Sequence, residues 1–407
     1  MKILIVAQYY TPDITAAAFR MGETAELLRK AGHQVRVITT WPHKADVEVT
    51  SAEEGVARVR LVPEQVGEGG LLRYLAHYLS FVPGSVLKAL KWRLGGWKPE
   101  VLWVSSPPLF TGLSGRIIQL LTGAPMVFDV RDIWPDTAVA AGQLSGDGRA
   151  YRWGRWLERR LYRAADRLTC VSRPMKAYLE EESGGKPVSV IYNGVAGDNS
   201  SATGTAPEAK EPRPSDSKTL VYAGNLGHLQ GLDVLLEAFH RLRTQQSGGA
   251  AASWQIRLIG GGAEEEALRR LTRELGLEDQ VHFEGVVSRE KAARALREAD
   301  LLFFSLKSHP VLEKTIPSKL FDYLQAGVPI LGGVKGEGAQ ILQETGANLT
   351  FEAGDAADLA HTLREAFEKH TSLQARAPRN RELVSQRFGR EAMTRKLISV
   401  FEKTREA

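Results

Sequence analysis

The 407-residue sequence predicts an α/β protein of two Rossmann-like, doubly wound domains in tandem. Three observations carry this. Apolar, strand-like runs alternate with helical patterns through the first half, the same alternation restarts near residue 218, and residues 197–217 between them, GDNSSATGTAPEAKEPRPSDS, hold almost no large apolar side chain. Such alternation favours a mostly parallel sheet flanked by helices. The expected division is a first domain over 1–196, a linker over 197–217, a second domain over 218–385, and a terminal helix within 386–407 crossing back toward the first domain.

In order, KILIVAQ reads as a strand, AAFRMGETAELLRKAG as a helix stopped by Gly32, and HQVRVITT as a second strand, a βαβ start. EVLWVSS, PMVFDV, RLTCVS and VSVIYNG continue the sheet. Beyond the linker come strand TLVYAG, helix GLDVLLEAFHRLR, strand WQIRLIG, helix EEEALRRLTRELG, strand VHFEG, helix REKAARALREA and strand DLLFFSL. Near the end Met393, Leu397, Val400 and Phe401 share one helical face.

A composition of 43% hydrophobic and 25% charged residues is that of a globular protein and argues against disorder. Cys170 is the single cysteine, so no internal disulfide forms, and no Cys/His ligand spacing points to a metal; a reducing cytosol is expected. The apolar run in MKILIVAQYY is too short for a signal-peptide core, and no stretch of about 18 apolar residues exists to span a bilayer. The net charge of +5 falls entirely within residues 1–198. Charge of that sign attracts nucleic acid, an anionic membrane or a phosphorylated substrate, and does not choose among them.

Two segments there are basic and aromatic. Between Glu68 and Glu100 no acidic residue occurs, and Arg73, Lys88, Lys91, Arg93 and Lys98 interleave with Tyr74, Tyr78, Phe81, Trp92 and Trp97. The composition fits an interfacial helix pair over about 71–98 on an anionic membrane. RAYRWGRWLERRLYRAADR places Trp153, Trp156, Leu157 and Leu161 along one stripe, read as packing on the sheet because the helix runs straight into RLTCVS. No nucleic-acid-binding motif accompanies the charge, so nucleic acid is not an expected partner.

Ligands of open α/β sheets bind beyond the carboxyl ends of strands, where helix N-termini favour phosphate. In the second half, YAGNLGHLQG leaves a strand through Gly224 and Gly227, LIGGGAEEE does so through Gly260, Gly261 and Gly262, and KTIPSKLFDYLQAGVPI follows a third strand. One glycine turn is ordinary, but three in one domain point to a nucleotide diphosphate. Neither G-x-G-x-x-G nor a P-loop is present, which disfavours a nicotinamide cofactor or an ATPase. In the third stretch Pro317 at N1 or Ser318 as N-cap starts a helix, Gly327 ends it, and Leu320, Phe321 and Leu324 face the sheet. Lys319 and Asp322 share the opposite face, either as a solvated ion pair or as an ammonium for the diphosphate and a carboxylate for ribose hydroxyls.

These residues carry a resemblance. YYTPDITAAAFR…GHQVRVIT, VFDVRDIWPD, CVSRPMKAYL…VIYNGV, YAGNLGHLQGLDVLLEAF, LIGGG, VHFEGVVSREK and PSKLFDYLQAGVPI together resemble the retaining glycosyltransferases of family 4, with the GT-B fold of two Rossmann-like domains facing across a cleft. The branch is similar to the WbuB-type fucosamine and N-acetylhexosamine transferases of bacterial surface-polysaccharide synthesis.

The resemblance implies a UDP-sugar, of an N-acetylated hexosamine type, bound by the second domain, and a polyprenyl-diphosphate saccharide acceptor held by the first. It implies no cofactor and no metal, and a cytoplasmic enzyme peripheral to the inner face of the plasma membrane. Similar enzymes hold the donor with two glutamates eight positions apart. Asp322 matches the second, while the first falls on Lys314 with Glu313 beside it. Where relatives carry Arg and Lys in the first glycine loop, this chain has Asn225 and Gln230, which shifts diphosphate neutralisation to Lys319, aided by Ser318 and by the backbone from Gly224 through Leu226 to Gly227 and at Gly260. The base is expected at Val286 and Val287. A histidine common before the mid-domain aspartate is replaced by Arg131, a phosphate binder rather than a base, followed by Asp132, which orients a substrate or shapes a turn. Arg20 is a second cation for the leaving group, or a surface arginine at a helix start. Retention by front-face attack needs no enzymatic nucleophile. Rival readings are a UDP-sugar epimerase or phosphorylase on the same fold, and a non-catalytic GT-B nucleotide-binding subunit.

Overall fold

A computed structural model describes all residues except 14, 43–52, 65–69, 196–216, 246–249 and 407. The chain forms two compact units, Met1–Asn193 with Arg390–Ala407, and Gly194–Gly389. Most of the linker expected at 197–217 lies outside the described residues.

The first unit runs β1 (Lys2–Ala7), α1 (Ala16–Lys30), β2 (Gln34–Thr40), β3 (Val56–Val59), α2 (Gly70–Leu79), α3 (Phe81–Leu94), β4 (Val101–Ser106), α4 (Thr111–Thr122), β5 (Met126–Val130), α5 (Asp136–Ala140), α6 (Arg149–Ala164), β6 (Arg167–Cys170), α7 (Arg173–Glu182) and β7 (Val188–Val190). Among the described residues its seven strands are parallel in the order β3-β2-β1-β4-β5-β6-β7. The runs KILIVA and VLWVSS are apolar without alternation because both faces of a parallel sheet are covered, and Ile3, Ile5, Trp103 and Phe128 have no exposed surface. Register aligns Ala7 with Ser105, Ser105 with Asp129 and Asp129 with Thr169, so Ser105, Asp129 and Thr169 form a polar row near the carboxyl ends of the central strands.

The second unit runs β8 (Lys218–Ala223), α8 (Leu232–Gln245), β9 (Trp254–Ile259), α9 (Glu265–Glu274), β10 (Val281–Gly285), α10 (Arg289–Glu298), β11 (Leu301–Ser305), α11 (Ser318–Ala326), β12 (Ile330–Gly333), α12 (Gly336–Gln343), β13 (Leu349–Thr350), α13 (Ala356–Glu368), α14 (His370–Arg376) and α15 (Pro378–Arg387). Among the described residues six parallel strands follow the order β10-β9-β8-β11-β12-β13, so the strand order reverses direction at β8 and β11. Its core gathers Leu220, Tyr222, Leu258, Trp254 and Phe303, with Trp254 stacked on Phe367 at 4.1 Å between centroids. Helix α16 (Arg390–Arg405) belongs to the first unit, where it buries Met393, Leu397, Val400 and Phe401.

The basic aromatic segments fold differently from the sequence expectation. Phe81 and Trp97 are buried. Trp92 and Trp97 flank Arg36 of β2, their ring centroids 5.1 and 4.6 Å from its guanidinium, so these aromatics fasten the helix pair to the sheet through cation–π contact. What α3 leaves in solvent is aliphatic: Leu94 is 81% exposed, Leu87 is exposed beside it, and Lys88, Lys91 and Arg93 surround them. On α4, bonded to α3 through Ser85 and Ser114 at 2.8 Å, Ile117, Leu120 and Leu121 are also exposed. The stripe expected on α6 is split: Leu157 and Leu161 are buried, whereas Trp153 and Trp156 are exposed. Arg155 and Arg159 bond Glu182 of α7 at 2.7 and 2.6 Å. The reason for the split is helical geometry, since the sheet covers only part of α6's circumference. Among the described residues no helix is long and apolar enough to cross a membrane.

Candidate active site

In the second unit the carboxyl ends of β8, β9 and β10 are stitched together by their turns. The Gly224 amide donates to Ile259 O at 2.8 Å, the Leu226 amide to Gly261 O at 3.0 Å, and the Gly260 amide to Gly285 O at 2.8 Å. Gly224 and Gly260 have φ of +143° and +132°, and a Cβ on Gly260 would overlap the Gly224 carbonyl oxygen. Only glycine fits both demands there. Gly260→Ala is therefore expected to cost about 1–3 kcal/mol of strain, which a lowered melting temperature measured by calorimetry would report.

This stitching corrects one expectation. The amides of Gly224, Leu226 and Gly260 are consumed between turns and are not presented to a diphosphate; among the described residues those of Asn225 and Gly227 make no hydrogen bond. Asn225 and Gln230 fold their carboxamides over Gly227, where a side chain would meet both, and Gln230 Oε1 is buried without a hydrogen-bond partner among the described residues. Val286 is exposed and lies against Gly261, with a Cβ there 3.2 Å from Val286 Cγ2; Val287 follows before Ser288, which caps α10 by accepting from Lys291 N.

Helix α11 starts one residue later than a proline at N1 requires. Pro317 is the extended N-cap residue and Ser318 is the first helical residue, without a side-chain cap. Leu320, Phe321 and Leu324 are buried, and Gly327 ends the helix in the left-handed region at φ +68°. Asp322 is exposed, but Lys319 turns inward: its ammonium donates to Tyr222 Oη and lies 4.2 Å from that ring's centroid. Burial pulls the Lys319 amine down to about 7, against the opposing field of Asp322. Glu313 and Lys314 sit in a single 3₁₀ turn, Leu312–Lys314, with Glu313 4.0 Å from Lys335 Nζ. The site thus brings Lys319, Gly224, Asn225, Gly227 and Gln230 together on the turns of β8 and α11, and Gly260 and Val286 on the neighbouring pair.

The first unit holds a second polar centre. Arg20 is 3% exposed and grips Asp129 through both terminal guanidinium nitrogens. It is neither a surface arginine nor a free cation for a leaving group, because its charge is matched inside the sheet. Ser105 and Thr169 donate to Asp129 at 3.2 and 2.7 Å. Burial pushes the Asp129 carboxyl up, yet Arg20 and its hydrogen bonds hold it below its ordinary value. Arg131 Nε donates to Ser105 Oγ at 3.1 Å and Ser106 O at 3.2 Å; burial brings its guanidinium down to about 10, still charged at neutral pH. Asp132 accepts from Thr137 Oγ1, and burial raises its carboxyl. Asp129, absent from the sequence-based candidates, was detectable as a carboxylate inside an apolar strand, which must be paired when buried. Among the described residues no group of three or more His, Cys, Asp or Glu side chains gathers as a metal site.

Residues 15–194 match the family model described as a glycosyl transferase 4-like domain, and residues 206–383 match that of glycosyl transferases group 1. The chain is 26% identical over 355 residues to the putative colanic acid biosynthesis glycosyl transferase WcaI of Escherichia coli, covering 80% of this chain and 82% of that protein. Among solved structures it is similar to sucrose-phosphate synthase from Thermosynechococcus elongatus, at TM-score 0.73 and 17% identity over 99% of this chain and 98% of the other. It is likewise similar to Anabaena HepE in complex with UDP and glucose, at TM-score 0.71 and 15% identity over 99% of this chain and 100% of the other. At such identities the structural likeness concerns the fold.

Proposed function

Because this chain belongs to the family 4 glycosyltransferases of the GT-B fold, we propose that it moves a sugar of the N-acetylated hexosamine type from a UDP-sugar to a lipid-diphosphate-linked saccharide in surface-polysaccharide assembly, with retention at the anomeric carbon. The observation that carries this reading is the inward Lys319 ammonium, held on Tyr222 beside the Gly224 turn at the strand reversal of the second unit. A partly buried cation at the carboxyl ends of parallel strands suits a diphosphate. WcaI is named for colanic acid synthesis and HepE binds UDP and glucose, which supports the substrate class.

In this reading the bond between the anomeric carbon and the diphosphate oxygen breaks, the acceptor hydroxyl oxygen bonds that carbon on the same face, and the hydroxyl proton passes to the leaving diphosphate oxygen. Lys319 stabilises the charge that develops on the diphosphate, together with the unengaged amides of Asn225 and Gly227. The exposed Asp322 accepts ribose hydroxyls, and Asp132 and Arg131 of the first unit orient the acceptor. No step calls for a metal. Purified chain incubated with UDP-sugars and a panel of polyprenyl-diphosphate saccharides, with and without EDTA, tests this: turnover resistant to EDTA and an axial or equatorial product bond matching the donor is expected by mass spectrometry and NMR, and absence of turnover with every donor sinks it.

The acceptor's lipid places the enzyme at a membrane surface. We assign the contact to the exposed leucines and lysines of α3 and the exposed aliphatic residues of α4 rather than to Phe81, Trp92 and Trp97, which the fold uses internally. Leu94→Glu combined with Leu120→Glu is expected to remove cosedimentation with vesicles of phosphatidylglycerol and phosphatidylcholine while leaving the melting temperature unchanged, because both side chains already stand in solvent. Unchanged cosedimentation counts against this face.

A further inference from the structure

We propose that Tyr222 is a positioning residue for Lys319, holding its ammonium at the Gly224 turn in the charged form that a donor diphosphate requires. This rests on the reading of Lys319 as the diphosphate cation. Tyr222 is the penultimate residue of β8 and is fully buried, yet its hydroxyl is engaged twice. It donates to Asn225 O at 2.6 Å, which fixes the turn, and that donation leaves only its lone pairs for Lys319, whose ammonium donates to them. The ring face lies beneath the same ammonium at 4.2 Å, so oxygen dipole and ring quadrupole both favour the cation. Gly224 completes the slot: a Cβ there would overlap Lys319 Cε and Nζ.

The neighbouring tyrosine behaves differently. Tyr323 Oη accepts from Ala223 N at 2.8 Å and donates to Ala223 O at 3.3 Å, so it ties α11 to the end of β8 through backbone alone. Burial raises both phenols above their ordinary value, so each stays neutral near pH 7 and supplies a dipole rather than a charge. Asp322 is the charged group whose field acts on Lys319. The amine, drawn down to about 7 by burial, is therefore balanced between its two forms in the free enzyme, and the Tyr222 hydroxyl, accepting from the ammonium, favours the charged one.

The test is calorimetric binding of UDP-N-acetylglucosamine, whose diphosphate diester carries no proton to lose between about pH 6 and 9, to wild type, Tyr222→Phe, Tyr222→Leu and Lys319→Ala. Wild-type affinity is expected to fall above about pH 7, approaching tenfold per pH unit as the ligand must draw a proton onto Lys319. Tyr222→Phe keeps the ring and loses the hydroxyl: roughly tenfold weaker binding at neutral pH, with the midpoint displaced to lower pH, is the expected result, and Tyr222→Leu displaces it further. A purely structural tyrosine would lower the melting temperature without moving that midpoint. Tyr222→Phe with the wild-type midpoint overturns the proposal, as does wild-type affinity that is flat across the range should the variants not fold. If Lys319→Ala binds as wild type does, the diphosphate reading falls first and the positioning role with it.

Discussion

Lys319→Ala is expected to lower kcat by a factor on the order of 10²–10³, the range found when one preorganised donor to a developing oxyanion is removed. The loss should be larger in kcat/KM than in kcat, because Lys319 already holds the donor diphosphate in the ground state and the charge it meets grows as the diphosphate leaves. The fold should survive. Burial holds the Lys319 amine down to about 7, which means the folded protein disfavours the ammonium that the unfolded chain keeps to about 10. Between those values the unfolded state binds more protons, so stability contributed by this group rises with pH across that window. Activity runs the other way: kcat/KM, which reports the free enzyme, declines as pH rises through about 7. Opposed pH trends in kcat/KM and in melting temperature, both absent from Lys319→Ala, form the signature; a pH profile in the variant that matches wild type removes Lys319 from the mechanism. Lys319→Arg is expected to restore little, since the Gly224 slot that admits an ammonium against Tyr222 has no room for a planar guanidinium.

Position in the chain made Lys319 legible, while its partner stayed hidden for a physical reason. A cation at the first turn of a helix after a buried strand is a phosphate signal in any open α/β sheet. Tyr222 stands in TLVYAG, where a tyrosine reads as core; only the pairing of β8 with β11, which joins Leu220 to Leu301, brings it to α11. The same limit explains the aromatics of 71–98. Composition registered them as amphipathic, but Arg36, which takes up Trp92 and Trp97, sits on β2, and no local pattern announces that contact. The glycine turns were legible as turns, since Gly224 and Gly260 adopt backbone angles that other residues avoid. That their amides are spent on one another depends on the strand order β10-β9-β8, which periodicity does not encode. Parallel strands were the easiest part, because burial on both faces writes itself as continuous apolar sequence.

Asp129→Ala is the second large effect, and it falls on stability. Removing the carboxylate leaves Arg20 charged, 3% exposed and without the group it grips, and leaves Arg131, 3.7 Å from the same oxygen, without part of its balance. Breaking a buried pair from one side costs about 3–5 kcal/mol, which for a unit of this size lowers its melting transition by on the order of 10 °C. Asp129→Asn should do nearly as much harm: it keeps the shape but not the charge, and it offers one acceptor oxygen where Ser105 and Thr169 donate to two. Arg20→Met with Asp129→Leu is expected to lose less than the two single changes added together, the coupling that identifies a paired interaction. Acid supplies an independent check. A carboxyl held below its ordinary value contributes stability above about pH 4 and loses it as pH falls through the depressed value, so the melting temperature of wild type should decline on acidification below about pH 4 more steeply than that of Asp129→Asn. Equal acid sensitivity would mean that the ion pair does not hold this centre. If it does, Arg20 and Asp129 neutralise one another, and Asp132, hydrogen-bonded by Thr137 with its carboxyl raised by burial, is the carboxyl of this centre left for the proposed acceptor.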